Sequence, residues 1–299
     1  MTQPQTAMQV SLGPLHYYWP RQEVLNFYAA AADSPVDVVY LGEIVCSRRH
    51  ELRLTDWFDL ADGLAQAGKQ CVLSSLTLIE SEADLKALRR LVANGRHLVE
   101  ANDMGAVKLL AELGARFVAG PSLNVFNDRT LALLARSGAM RWVMPPELGR
   151  DALAAMQALR PQQLQTEVFA WGRLPLAYSS RCFTARRFNL QKDSCGFRCI
   201  EFADGLPLAT RDGEAFLNLN GVQTQSAKTY NLLAELPELA RLGVDVLRIS
   251  PQSHGTFETV SAMRSAIEGG TPASPPPDAS CNGFWYEQAG LHQLGEGRS

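Results

Sequence analysis

Short apolar runs alternate with amphipathic segments along most of this chain. The apolar runs are almost continuously hydrophobic, as is typical of parallel strands that are buried on both faces. Eight such runs occur, at residues 12–19, 36–45, 71–79, 97–103, 116–124, 141–148, 164–171 and 244–251. Segments with hydrophobic residues at helical spacing lie between or after them, at residues 21–34, 56–69, 81–95, 104–115, 127–139, 149–160, 235–243 and 258–269.

This alternation predicts an α/β fold, a (β/α)8 TIM-like barrel that is complete or distorted, in one domain over residues 1–270. The alternative is an open doubly wound sheet, but no GxGxxG motif follows the first predicted strand. The pattern changes at residues 202–231, where Asp-Gly and Asn-Gly pairs indicate turns between short strands. We expect a small β insertion there, after the seventh strand, and a Pro-rich C-terminal tail at 271–299.

Four of the six cysteines stand out as metal-ligand candidates: Cys46, Cys182, Cys195 and Cys199. Cys46 follows the second predicted strand and the other three follow the seventh. In a barrel both segments lie at the C-terminal face, where active sites of this fold are built. Thiolates are the ligands that iron–sulfur clusters and zinc require. Many cationic residues lie near these cysteines in the sequence, and we expect them to lower the thiol pKa values. These cationic residues are Arg48, Arg49, Arg181, Arg186, Arg187, Lys192 and Arg198.

Other roles for these cysteines stay open. Disulfides need an oxidising compartment, a single catalytic thiol would not require four cysteines, and four unrelated buried thiols are the simplest alternative. Structural zinc sites use closely spaced cysteine pairs, whereas Cys182 precedes Cys195 by a longer stretch that suits a bulkier cluster better. Of the two remaining cysteines, Cys71 lies in an apolar run and predicts a core thiol, and Cys281 is expected to be peripheral.

The bulk composition is that of an ordinary globular protein. The chain has 299 residues, 46% of them hydrophobic and 20% charged, and a formal net charge of −3. This balance argues against a general nucleic-acid-binding surface. We find neither a secretory signal pattern at the N-terminus nor an apolar run long enough for a transmembrane segment, and we expect a cytoplasmic protein.

Six further polar or aromatic residues fall at the ends of predicted strands and are candidates for substrate binding: Tyr18, Glu43, Asn102, Asn124, Arg173 and His254. Glu43 is a candidate acid or base, and Arg173 is a candidate clamp for a carboxylate. Several of these residues have a structural alternative, namely an ion pair for Glu43 and Arg173 and core packing for Tyr18. A capping or solvated role is the alternative for His254. Which residue is catalytic is not identified by the sequence.

Four stretches carry a resemblance to a known family: YLGEIVCSRRHEL, FAWGRLPLAYSSRCFTARRFNLQKDSCGFRCI, FLNLNGVQTQSAKTYNLL and LGVDVLRISPQS. They are spread over nearly the whole chain, which resembles the bacterial collagenase-like peptidase family and, within it, the members that serve ubiquinone biosynthesis. The second stretch is the most specific, because a Gly-Arg-Leu-Pro run precedes the cysteine-containing loop.

The resemblance implies a 4Fe–4S cluster bound by Cys46, Cys182, Cys195 and Cys199. It further implies a heterodimer with a related UbiU-like protein and an accessory, lipid-binding UbiT-like protein. Such a system hydroxylates a ubiquinone precursor without molecular oxygen, under anaerobic conditions, with prephenate as the implied oxygen donor. An RNA-modifying hydroxylase and a non-catalytic scaffold or electron-transfer subunit remain alternatives. Peptidase activity is disfavoured, since neither HExxH nor GxSxG occurs in the sequence.

Overall fold

A computed structural model describes residues 8–270 and 280–295 of the chain. These residues form twelve strands, numbered in chain order: β1 (Gln9–Leu12), β2 (Val38–Leu41), β3 (Gln70–Ser74), β4 (Leu98–Ala101), β5 (Phe117–Ala119), β6 (Ala139–Val143), β7 (Gln165–Tyr178), β8 (Leu206–Ala209), β9 (Ala215–Asn220), β10 (Gln223–Asn231), β11 (Val246–Ile249) and β12 (Ser280–Cys281).

Strands β1 to β7 and β11 form a closed barrel of eight parallel strands, which confirms the predicted (β/α)8 fold. The barrel closes because β11 pairs in parallel with two neighbours. Val246 is in register with Glu167 of β7 on one side and with Gln9 of β1 on the other. All eight strands therefore point their carboxyl ends at the same face of the barrel.

In the described part of the chain, eight helices surround the barrel, and a ninth, α7, lies in the cysteine segment: α1 (Arg21–Asp33), α2 (Leu54–Gln66), α3 (Glu82–Val92), α4 (Met104–Glu112), α5 (Asp128–Arg136), α6 (Arg150–Leu159), α7 (Phe183–Arg187), α8 (Leu236–Arg241) and α9 (Thr256–Ile267). Local sequence signals set several boundaries. Ser81 and Asn127 cap α3 and α5 by accepting backbone N–H groups. Gly138 ends the α5 turn with a φ of +110°, where a Cβ would meet the Ala115 carbonyl at 2.9 Å.

The first strand lies earlier than predicted. The aromatic run at 12–19 suggested a strand, but β1 ends at Leu12, and Tyr17, Tyr18 and Trp19 lie in the loop that follows it. All three aromatic rings are buried. Burial by itself does not require a sheet, because a loop folded over the barrel mouth excludes water from aromatic rings equally well. Tyr18 still reaches the C-terminal face, as predicted.

Strand β7 is much longer than the other barrel strands and carries the insertion. Its second half leaves the barrel and pairs antiparallel with β10, which pairs with β9, which in turn pairs with β8. This is the β insertion that the turn signals predicted. Since the insertion grows directly out of a barrel strand, it places the intervening cysteine segment, residues 179–205, over the barrel mouth.

The interior of the barrel contains a buried ionic quartet, formed by Glu100, Arg141, Glu167 and Arg248. Arg248 Nε donates to Glu167 Oε1 at 2.7 Å, and its Nη1 lies 2.8 Å from Glu100 Oε1. Burial alone raises the pKa of Glu167, but Arg248 and Arg141 outweigh it and hold that pKa below its usual range. Two positive and two negative side chains thus balance each other in the buried interior of the barrel.

The described C-terminal segment, residues 280–295, packs against the insertion. β12 pairs in parallel with β10, and both Cys281 and Trp285 are fully buried. The expected peripheral position of Cys281 is therefore wrong, because this segment returns to the sheet edge after the proline-rich stretch. The remainder of the predicted tail, residues 271–279 and 296–299, lies outside the described residues.

We predict that Arg248→Met destabilises the fold by about 3–5 kcal/mol, because it leaves Glu100 and Glu167 buried with too little positive charge. The free energy of unfolding from urea titration measures this loss. The matched control, Arg241→Met, removes an exposed guanidinium on α8 and should change that free energy by less than about 0.5 kcal/mol. Equal effects of the two substitutions would contradict the importance of the quartet.

Candidate metal centre

The loop after β2 presents the first candidate ligand, Cys46. The Glu43 carboxylate accepts the backbone N–H groups of Val45 at 2.8 Å and of Cys46 at 3.0 Å. The Cys46 carbonyl then accepts the Arg49 N–H at 3.0 Å. These bonds fold residues 43–49 into a compact turn at the C-terminal end of the strand, so the position of Cys46 is determined by its own loop.

The second candidate ligand, Cys182, begins the short helix α7. Its Sγ accepts the backbone N–H of Ala185 at 3.4 Å. The helix is attached to the β9–β10 turn, because the Gly221 carbonyl accepts the N–H of Phe183 at 2.7 Å and the Gly221 N–H donates to Thr184 Oγ1 at 2.9 Å. The insertion therefore positions Cys182.

The last two candidates, Cys195 and Cys199, lie on consecutive short 3-10 turns. Cys195 follows the turn Lys192–Ser194, and Cys199 belongs to the turn Arg198–Glu201. Between them Gly196 and Phe197 both have positive φ angles, +59° and +54°. Phe197 adopts this conformation, which is rare for a bulky residue, while its ring packs against other parts of the site.

The structure brings Cys46, Cys182 and Cys199 together. Cys46 and Cys182 pack against the same small apolar cluster. Burial raises the pKa of Cys46 to about 11 and also raises that of Cys199, and a charge on Cys182 acts on both in the same direction. All four candidates are partly exposed, whereas Cys71 and Cys281 are buried. Cys195 lies at the end of the 3-10 turn that precedes the turn of Cys199.

The four thiols do not form a closed ligand set. Within residues 8–270 and 280–295, no three His, Cys, Asp or Glu side chains are arranged so that they could hold a metal ion. Burial raises the pKa values of the Cys46 and Cys199 thiols, which favours their protonated form. Metal binding would release these protons and draw the ligands inward. In donor type and partial exposure, the four residues are suited to thiolate ligation of a metal.

Most cations near the candidate thiols form ion pairs with carboxylates or are exposed to solvent. The sequence had suggested that these cations would lower the pKa values of the thiols. Arg48 pairs with Asp193 at 3.0 Å, Arg198 pairs with Glu201 at 2.7 Å, and Lys192 pairs with Glu80. Arg181, Arg186 and Arg187 are exposed. Arg49 alone among the cations of this segment contributes to lowering the pKa of Cys199, and burial outweighs it. The expectation of lowered thiol pKa values is therefore wrong for Cys46 and Cys199.

Tyr18 joins the two cysteine-bearing segments. Its hydroxyl accepts the His50 N–H at 3.2 Å, next to the Cys46 loop. Its ring centroid lies 6.1 Å from that of Phe197, which also contacts the His50 ring edge-on at 6.3 Å. These three rings hold the Cys46 loop against the Cys195–Cys199 turns. The sequence analysis did not single out Phe197 or His50, and only their closeness to cysteines could have indicated them.

Glu43 and Asn102 have structural partners. Glu43 holds the Cys46 turn and lies 3.6 Å from Arg49, so the ion pair considered as an alternative is present. Burial raises its pKa, although Arg49 acts to lower it. Asn102 is buried, and its amide donates to the Ser75 carbonyl at 3.1 Å and to Glu100 at 3.2 Å. It therefore belongs to the polar network inside the barrel.

The other three candidates lie apart from one another. Asn124 lines a polar cleft of about 250 Å³ at the barrel mouth, together with Glu147 and Tyr178. Arg173 donates to the carbonyls of Ser226 and Ala227, where β10 bulges away from β7. His254 is exposed in the turn before α9.

The cleft beside Asn124 adds two residues that sequence analysis missed. Burial raises the pKa of Glu147. Tyr178 lies against the same apolar cluster as Cys46 and Cys182, and its hydroxyl accepts from Gln223 at 2.6 Å. No local pattern marks Glu147, which follows two prolines after β6.

Two further expectations from the sequence concern the core position of Cys71 and the presence of membrane-spanning segments. Cys71 lies in β3, and its Sγ donates to the Ala61 carbonyl at 3.2 Å, so its predicted place in the core is confirmed. As for membrane spans, none of the helices within the described ranges is both long and apolar enough to cross a bilayer.

Comparisons with known proteins agree on the family. A model of peptidase family U32 matches residues 23–273. An uncharacterised protease of Methanocaldococcus jannaschii is 25% identical over 260 residues, which cover 82% of this chain and 63% of that protein. This chain thus spans less than two-thirds of that relative.

Solved structures resemble the fold. A U32 peptidase superposes with a TM-score of 0.48 at 13% identity, covering 85% of this chain and 97% of that one. A dihydropteroate synthase of Thermus thermophilus superposes with a TM-score of 0.45 at 14% identity, covering 87% and 92% of the two chains. At this low identity, these likenesses concern the fold alone. The family model extends over well more than half of the sequence, and the chain therefore belongs to peptidase family U32.

Proposed function

We propose that this chain is a UbiV-like, iron–sulfur subunit of an oxygen-independent system that hydroxylates the ubiquinone ring. Cys46, Cys182, Cys195 and Cys199 would hold one 4Fe–4S cluster. The observation that carries the proposal is the meeting of Cys46, from the loop after β2, with Cys182 and Cys199, from the segment after β7. Two segments far apart in sequence supply thiols to one place at the barrel mouth.

The surroundings of the thiols support a cluster over a set of unrelated core cysteines. The Cys182 sulfur already accepts a backbone N–H, and Arg49 acts on Cys199. Hydrogen bonds and positive charge at the sulfurs are the means by which proteins tune iron–sulfur centres. When bound, such a cluster supplies one-electron redox chemistry. The protein side chains described above hold the ligand loops in place.

Arg49 is the main positioning residue in this proposal. Its side chain is 2% exposed, and it donates to the His16 carbonyl at 2.6 Å and to Asn220 at 2.7 Å. It is thereby anchored to the loop after β1 and to the insertion while it acts on Cys199. Glu43, 3.6 Å away, compensates its charge and also fixes the Cys46 loop.

The resemblance to UbiV-like proteins supplies the rest of the proposal. It implies a heterodimer with a UbiU-like partner, assistance from a UbiT-like protein, and prephenate as oxygen donor. The family name refers to peptidases, but the sequence contains neither an HExxH nor a GxSxG motif. His16, near the site, is buried and bonded to Gln223, and burial lowers its pKa to about 3, which does not suit a general base at neutral pH.

We predict that serine at Cys46, Cys182, Cys195 or Cys199 abolishes or strongly reduces bound iron, because each would remove one ligand. Anaerobically purified protein should contain about four iron and four sulfide per chain, with a matching electron paramagnetic resonance signal after reduction. The controls Cys71→Ala and Cys281→Ala remove buried thiols outside the site and should retain the iron. Full iron in Cys182→Ser, or its loss in Cys71→Ala, would refute the assignment.

We predict that a strain of the native host lacking this protein makes ubiquinone normally in air but not without oxygen. An exposed cluster is degraded by oxidants, so the system would serve only under anoxia. Quantifying ubiquinone in both conditions, with the wild-type gene and the Cys46→Ser variant supplied back, measures this. Normal anaerobic ubiquinone in the deletion strain would contradict the pathway.

We predict that Arg186→Glu combined with Arg187→Glu weakens association with a UbiU-like partner. Both side chains are exposed on the cysteine segment, where an acidic partner surface would neutralise them. Co-expressed chains should co-elute at the summed mass, and the double variant should shift toward separate elution. Arg129→Glu, 93% exposed on α5, is the matched control. A chain that stays monomeric beside its partner and still restores the deletion strain would exclude the heterodimer.

A further inference from the structure

The polar cleft beside Asn124 lies at the face of the barrel where active sites of this fold are built. Its volume of about 250 Å³ is just below the range of about 300–1,000 Å³ for pockets of drug-sized ligands, which indicates a smaller ligand. Leu78 and Tyr178 line the cleft and also pack against the small apolar cluster that Cys46 and Cys182 contact. The cleft therefore adjoins the candidate metal centre, but its lining contains none of the four candidate thiols.

Three prolines on the walls of the cleft give it a preformed shape. Pro121 begins the 3-10 turn after β5, Pro146 lies in the loop after β6, and Pro175 lies in the outer half of β7. Proline has a fixed φ angle and no backbone N–H group. These walls are therefore stiff, and they offer a ligand fewer hydrogen-bond donors than other loop residues would.

Asn124 and Glu147 bring polar groups to the cleft that are not used elsewhere in the fold. Asn124 has a φ of +53°, a left-handed conformation that Asn adopts more readily than most residues. Its side-chain amide makes no hydrogen bond within residues 8–270 and 280–295. Burial raises the pKa of Glu147, and only its own backbone N–H acts to lower it. Both residues are exposed enough for a ligand to reach them from solvent.

The charge of the cleft is negative at neutral pH. Glu147 supplies a carboxylate, and among the described residues no Arg, Lys or His lines the cleft. The Tyr178 hydroxyl stays neutral, because burial raises its pKa. An anion here would meet a like charge without a compensating cation, which is unfavourable, whereas a cation would be attracted. The cleft therefore does not suit the carboxylates of prephenate.

We propose that this cleft binds a small organic ammonium, with the ammonium group against Glu147 and a second polar group of the ligand on the Asn124 amide. Hydrogen bonds between an ammonium and a carboxylate are charge-assisted and stronger than neutral ones. The hydroxyls of Thr77 and Ser122, 3.4 Å apart, offer further oxygen acceptors. This site is additional to the proposed function, whose ring substrate and oxygen donor carry no ammonium group.

Three sugars of similar size and different charge test this assignment on the full chain. Glucosamine carries an ammonium, glucose is neutral and glucuronate carries a carboxylate. Titrations followed by saturation-transfer difference NMR at neutral pH give their Kd values. Glucosamine should bind about fivefold or more tightly than glucose, and glucuronate more weakly than glucose. Equal affinities for the three sugars, or tightest binding of glucuronate, would overturn the proposal.

A charge-removing variant identifies the carboxylate that is responsible. Glu147→Gln keeps the shape of the side chain and should abolish the preference for glucosamine over glucose. Its matched control, Glu23→Gln, removes an exposed carboxylate on α1 and should retain the preference. A preference that persists in Glu147→Gln would refute the role of Glu147.

A cleft-filling variant identifies the location. Ala177→Phe adds a ring from an exposed position in the cleft lining and should weaken glucosamine binding about fivefold or more. Ala209→Phe adds the same ring at an exposed position on β8 and should leave the Kd unchanged. Unchanged glucosamine binding in Ala177→Phe would place the ligand elsewhere and overturn the site.

The sugar titrations do not need a metal, so this proposal and the proposed function fail separately. Iron bound by the four cysteines without a preference for glucosamine would overturn the ammonium site and leave the cluster in place. A preference that depends on Glu147 in a chain that binds no iron would uphold the ammonium site and refute the cluster.

Discussion

The buried guanidinium of Arg49 is the interaction on which the candidate site depends. It joins the loop after β1, through the His16 carbonyl, to the tip of the insertion, through Asn220. On its other sides it lies near Glu43, which holds the Cys46 turn, and acts on Cys199. A planar, permanently charged group with several donors is suited to such a junction, since one side chain can bind several carbonyl and carboxylate oxygens at fixed angles.

This junction is possible because of the long strand β7. Its first half closes the barrel against β6 and β11, and its second half leaves the barrel to pair with β10. The insertion is therefore an extension of the barrel sheet and not a separate unit on a linker. The β9–β10 turn then fixes α7 through Gly221, and with it Cys182. A rigid path of backbone hydrogen bonds thus leads from the barrel to a thiol above its mouth.

In the ionic quartet inside the barrel and in the site at its mouth, buried charges are compensated by opposite charges of the protein. Arg248 bridges Glu100 and Glu167 in the buried interior of the barrel, and Arg49 compensates Glu43 nearer the surface. In both places the charges are paired within the protein. The two places differ in depth: Arg248 lies inside the barrel, whereas Arg49 lies at its mouth and also acts on the candidate ligand Cys199.

Local patterns in the sequence were sufficient to predict the barrel, the insertion and the identity of the candidate thiols. Continuous apolar runs, helix caps and Asp-Gly or Asn-Gly turns are local signals, and β3, α3 and the 202–231 insertion formed where those signals lie. The cysteine types and their basic neighbours were also visible in the sequence, although the pairing of Arg48 with Asp193 and of Arg198 with Glu201 was not.

How these residues meet depends on the packing of the folded chain and could not be predicted from local patterns. The aromatic run 17–19 lies in a loop because the barrel mouth buries it without a sheet, and Cys281 is buried because its segment returns to β10. The thiol pKa values are raised because burial outweighs the nearby charges. Burial and solvation depend on all neighbours of a group in space, and residues near in sequence are only a few of them. Local patterns therefore predict elements and ligand types, whereas distances, partners and charge states come from the packed fold.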